Sequence, residues 1–149
     1  MKLAEQIRSV QIIFLALLAG QIIFLFISVF LVQSGNVKPN DELFLILFIV
    51  DLMIITPAIV VGPMIYRGFI ERANSKKLTE EKFILYRQGV IIKLALVEAP
   101  TIFSIVGYLL TGSFIFLILA IGVLILFFFH KPTLEKFAED FNIPLLELE

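Results

Sequence analysis

Four apolar runs, Val10 to Val32, Leu43 to Tyr66, Val90 to Leu110 and Phe114 to Phe129, dominate the chain and leave it few ways to fold. A hydrocarbon layer about 30 Å thick takes roughly 20 residues at 1.5 Å each, so three runs suffice to cross it and the fourth falls slightly short. Hydrocarbon offers backbone polar groups no partner, so each run is expected to close its hydrogen bonds within itself, as a helix. With 60% of 149 residues hydrophobic and 17% charged, the chain has more apolar surface than one soluble core of this length can hide. The expectation is an all-α, polytopic membrane protein, a four-transmembrane-helix bundle forming a single membrane domain over residues 1–149.

The charges set the orientation. Between the first two runs lies a turn cluster, Gln33 to Glu42, with one basic residue, and between the last two only Thr111-Gly112-Ser113, with none. The middle connection, residues 67–89, instead carries Arg67, Arg72, Lys76, Lys77, Lys82 and Arg87; Lys2 and Arg8 precede the first run, and Lys131 and Lys136 follow the last. The positive-inside rule places this loop and both termini in the cytoplasm, with the bacterial inner membrane as the expected location. The first run is too long for a signal-peptide core and lacks a small-x-small cleavage site, so it reads as a retained span. Thr79, followed by Glu80 and Glu81, is the expected cap of a third helix that starts near Glu80 and enters the bilayer. In the tail, residues 133–149, Leu134, Phe137, Ala138 and Phe141 recur opposite Glu135, Glu139 and Asp140, which describes an amphipathic helix on the inner surface or against the loop.

A constant offset pairs Ile12 to Leu31 with Ile91 to Leu110, including Leu15 with Leu94, Ala16 with Ala95 and Phe24 with Phe103. Such a duplication would make two parallel-repeat hairpins, with Ala19 standing where Glu98 does. Ala16 and Gly20 share small-xxx-small spacing, which predicts close helix contact on the first span.

Glu98, nine residues into the third run, is the costliest residue to place, because a carboxylate in hydrocarbon demands a reason. Counted along ideal helices, Glu98 lies about 12 Å from the cytoplasmic end of its span, Asp51 about 12 Å from the outer end of the second, and Gln21 about 16 Å into the first. Three polar groups on three helices near one level predict a shared site able to exchange protons or bind a cation, with Glu98 protonated at neutral pH. Thr101, with Ser104 and Tyr108, extends a polar stripe outward from Glu98; Pro100 and Pro57 free the carbonyls of Leu96 and Met53 nearby. Interhelical hydrogen bonding, at roughly 0.6 kcal/mol each, accounts for the same residues with no chemistry at all. Lys93 is expected to snorkel to the cytoplasm.

The segment Arg87-Gln-Gly-Val-Ile-Ile-Lys-Leu94-Ala-Leu-Val-Glu98-Ala-Pro-Thr-Ile-Phe103 resembles the second helix of the rotary ATPase ring subunit, the proteolipid or subunit c, where the ion-carrying carboxylate sits in a Leu-Ala-x-x-Glu-Ala-x-x-Ile-aromatic context. That helix also rises from a cytoplasmic polar loop. The resemblance covers roughly 20 residues and implies that Glu98 carries a proton or sodium ion; the family's glycine-rich first helix has only Thr56-Pro57-Ala58-Ile-Val-Val-Gly62-Pro63 in its place. The ending Lys131 to Ile143 looks like the tails of small bacterial four-span proteins. With no cysteine, a single histidine, His130, and no phosphate loop or nucleophile–base pair, no enzyme, metal site or other cofactor is expected. The basic loop is a topology signal, so no nucleic-acid partner is expected; the bilayer, a homo-oligomer or a larger membrane complex are the expected partners. Two functions follow: a proton- or cation-binding membrane subunit built on Glu98, Asp51, Gln21 and Thr101, or a non-catalytic membrane scaffold or accessory subunit.

Overall fold

The computed structural model describes residues 3–144 and is all-helical. Its helices are α1 (Leu3–Gln33), α2 (Phe44–Asn74), α3 (Thr79–Thr111), α4 (Phe114–Phe129) and α5 (Leu134–Phe141), with a 3-10 turn at Asp41–Leu43. By length and composition α1, α2 and α3 can each cross a membrane; the fourth candidate is α4 with α5, a pair bent by 67°. The bend follows from Pro132, whose missing N–H cannot continue α4, and from Thr133, whose side chain caps the next helix by accepting from the Lys136 N–H.

The helices outrun the apolar segments that nucleate them. Once the middle of a segment is helical, each further residue fixed adds one hydrogen bond, so α2 continues beyond Tyr66 through Arg67 and Arg72 to Asn74, while α3 starts at Thr79, close to the expected Glu80. Only Ser75 to Leu78 connects them. Leu78, not Thr79, is the N-cap of α3, and no side chain caps it. At the other end Gly112, at φ 65°, takes the left-handed conformation that stops α3 and returns its N–H to the Tyr108 carbonyl.

α3 is the central helix. It packs most extensively against α2, then α4, then α1; 44% of its most apolar stretch is buried, against 11% for α2. The core lies toward the end where α2 turns into α3: Ile7, Val10 and Phe14 of α1, Phe83, Tyr86 and Val90 of α3, Phe127 of α4 and Phe137 of α5 belong to one cluster. Phe14 stacks on Phe127 with centroids 5.2 Å apart, and the Gln11 side-chain amide donates to the Pro132 carbonyl at 3.1 Å. At the opposite end the Asn40 N–H donates to the Leu110 carbonyl at 2.8 Å, tying the first connection to the end of α3. The faces left outside are apolar, among them Phe26, Phe30, Ile46, Met53, Met64, Ile118 and Phe129.

Tight contact falls elsewhere than on α1. Ala16 and Gly20 are exposed, and a Cβ added at Gly20 meets nothing within 4 Å. The close approach is at Gly107, where a Cβ would stand 2.5 Å from the ring of Phe116, and at Gly89, where it would stand 2.9 Å from Phe69. Small residues matter where a neighbouring ring needs their space, and spacing along one helix does not reveal that.

Candidate functional site

Of the polar groups expected at one level, Asp51 pairs with Ser104 and Thr101 with its own helix. Asp51 is fully buried between α2 and α3, and both its carboxyl oxygens contact the Ser104 hydroxyl, at 3.0 and 2.8 Å. Ser104 lies six residues beyond Glu98, about 9 Å farther along α3 and about 120° around it. Glu98 is only partly buried. It borders the face carrying exposed Ala95, Ala99 and Ile102, on the flank of α3. Thr101 is buried, but its hydroxyl donates to the Val97 carbonyl of its own helix at 3.3 Å.

Gln21 is 2% exposed, and among the described residues neither its amide nitrogen nor its oxygen has a hydrogen-bond partner; the same holds for the hydroxyl of Ser28, seven residues on. Gln21 belongs to α1, whose main neighbour is α3, whereas Asp51 belongs to α2. The prolines lie away from the acids they neighbour in sequence. Pro57 is exposed while Asp51, six residues earlier, is buried, and Pro100 is buried about 160° around the helix from Glu98. The hydrogen bond the structure makes is Asp51 with Ser104. Ser104 was visible in the polar stripe, but nothing in the sequence paired it with α2.

A second polar site lies where α2, α3, the α4–α5 turn and α5 meet. Tyr66, Tyr86, Lys93, His130, Lys131, Lys136, Glu139 and Asp140 line a cleft of about 250 Å³, with Val90, Leu94 and Pro132 as its apolar part. Tyr66 donates its hydroxyl proton to Asp140. Lys93 runs past Gly62, where a Cβ would come within 4.0 Å of its stem, and sets its ammonium 4.7 Å from the centroid of the Tyr66 ring. Lys136 donates to the carbonyls of Phe129 and Lys131 at 3.0 and 3.2 Å, closing the C-terminal end of α4, where the helix dipole favours a cation. The available signal was the run of aromatic-basic pairs at the ends of apolar segments: Tyr66-Arg67, Tyr86-Arg87 and Phe129-His130-Lys131.

His130 faces this cleft with its tautomer fixed. A carbonyl can only accept, so the 2.7 Å contact with Leu126 makes Nδ1 the donor and leaves Nε2 unprotonated in the neutral ring. Burial pulls its pKa below 6.5; the Leu126 carbonyl opposes this, and Lys93 and Lys136 push the same way. Lys131, Glu139, Asp140 and the two tyrosines are the other ionisable groups around it. The folded chain therefore binds this proton less tightly than the unfolded chain, so stability is full above about pH 6.5 and falls as the pH drops through that value. An NMR titration should place His130 below 6.5, and His130→Gln should flatten the acid arm of the stability profile. A histidine titrating at or above 6.5 would contradict the assignment.

No family model, curated protein or solved structure matches this chain, so its sites are read from their own geometry.

Proposed function

We propose that the protein is an integral membrane protein whose four apolar helical segments span a bacterial inner membrane with both termini cytoplasmic, and that it acts as a non-catalytic scaffold or accessory subunit. The observation that carries this reading is the contact of both Asp51 oxygens with Ser104. Among the described residues the most deeply buried acid, Asp51, is hydrogen-bonded to a neighbouring helix, as an interhelical tie would be. Glu98 at the border of an exposed face is consistent with an acid near a helix-packing edge. At 16 residues, or about 24 Å, α4 spans only where the bilayer is thin or where α5 and the turn carry the chain out through the head groups. The two hairpins, with second helices of 31 and 16 residues, have diverged if they arose by duplication.

The rival reading, a proton or sodium carrier resembling subunit c, keeps Glu98 as its acid and requires a titrating carboxylate. Glu98→Gln and Asp51→Asn together separate the two, since each amide keeps an acceptor and a donor but cannot ionise. Asp51→Asn should fold as the wild type does, whereas Asp51→Leu should lose about 0.6 to 1.7 kcal/mol of interhelical stabilisation. In proteoliposomes loaded with a pH or sodium indicator, wild type and both Asp51→Asn and Glu98→Gln should be equally silent. Ion flux in the wild type that either neutral variant abolishes would overturn the scaffold reading.

A further inference from the structure

We infer that the cleft between the inner ends of α2, α3 and α4 and the docked α5 is a binding site for a phosphate group, carried either by an anionic phospholipid or by free phosphate. Three lysines, Lys93, Lys131 and Lys136, face a cavity of about 250 Å³ that also holds two acids, Glu139 and Asp140, so its balance is cationic. One of the acids is engaged, because an Asp140 oxygen accepts the Tyr66 proton. Lys93 is held by a ring face and a helix-spanning stem, which aims the ammonium without consuming its three N–H donors. Lys136 spends two donors on carbonyls and keeps the third. Positioned donors around a polar cavity suit a tetrahedral polyanion, which accepts from several directions at once.

The level of the cleft fits the same ligand. Lys93 lies about 5 Å inside the cytoplasmic boundary counted from Val90, and Tyr66 and Tyr86 are aromatic rings of the kind that settle at the head-group layer. Basic pockets between spanning helices on the cytoplasmic side are where acidic lipid head groups are recognised. The inference rests on the membrane reading above, and the experiment keeps the two apart.

Purified full-length protein would be reconstituted in phosphatidylcholine vesicles and floated to verify insertion. Native mass spectrometry would then compare retention of phosphatidylglycerol with that of phosphatidylcholine, with and without inorganic phosphate. Phosphatidylglycerol should be retained preferentially, phosphate should compete, and Lys93→Gln with Lys131→Gln should weaken binding about ten-fold or more, while Lys93→Arg keeps most of it. Retention of inorganic phosphate alone would identify a soluble ligand for the same site. A chain that floats but shows no preference for either phosphate source, or whose preference survives Lys93→Gln with Lys131→Gln, overturns the inference and leaves the membrane reading standing. A chain that fails to float overturns the membrane reading itself.

Discussion

Replacing Phe137 with alanine should release α5 from the rest of the molecule. Phe137 is fully buried, with ring centroids 4.7 Å from Phe141, 5.0 Å from Tyr86 and 6.3 Å from Phe83. Truncating a buried phenylalanine typically costs about 3 to 5 kcal/mol. An eight-residue helix has almost no stability of its own, so α5 cannot absorb that loss by staying folded in place. The longer helices keep their own hydrogen bonds, so the effect should be local undocking rather than global collapse. Trypsin should cut after Lys136 far faster in Phe137→Ala than in the wild type, while helical circular dichroism falls only slightly. Because α5 supplies Lys136, Glu139 and Asp140, the same variant should lose phosphate retention. An unchanged cleavage rate would mean that the aromatic cluster does not hold the tail.

The second large effect is expected at Gly107, where two opposing terms can be compared. Glycine to alanine in a helix interior ordinarily gains about 1 kcal/mol. Here the new Cβ would stand 2.5, 2.8 and 2.9 Å from three ring atoms of Phe116. That ring is fully buried and held edge-on by Phe44 and Phe48, so it cannot swing aside cheaply. Overpacking of this kind costs about 1 to 3 kcal/mol, so the sign should reverse and Gly107→Ala should destabilise. Gly20→Ala is the internal control, since nothing lies within 4 Å and the propensity gain should stand alone. Unfolding in mixed detergent would rank the three proteins as Gly20→Ala, wild type, Gly107→Ala, and equal stability of the last two would refute the packing argument.

The helical segments were legible because they depend on local terms. Val10 to Val32 and Leu43 to Tyr66 lie within α1 and α2 apart from Leu43 at the edge, Val90 to Leu110 lies within α3, and Phe114 to Phe129 coincides with α4. The amphipathic spacing of Leu134, Phe137, Ala138 and Phe141 marked α5, and the partner that buries its apolar face proved to be Phe83 and Tyr86 of α3. Depth along each helix did not by itself reveal proximity. Counting residues put Asp51, Glu98 and Gln21 at comparable levels, but level is one coordinate of three. Rotation about each helix axis decides the surroundings: Asp51 meets Ser104, Gln21 is buried on α1, and Glu98 borders an exposed face.

The sequence alone therefore determined that this chain is helical, roughly where each helix runs, and which stretches are apolar enough to cross a membrane, because in hydrocarbon a backbone must satisfy itself within its own segment. Tertiary structure alone decided which face of each helix meets which neighbour. In water an apolar stripe announces the buried face, but lipid is as apolar as a leucine-rich interface, so outward Ile102 and Met53 read no differently from inward Leu94 and Val97. The contacts that fix rotation are the few that lipid cannot imitate: a hydroxyl between Asp51 and Ser104, a ring against Gly107, and the tyrosines, lysines and carboxylates gathered where the helices end.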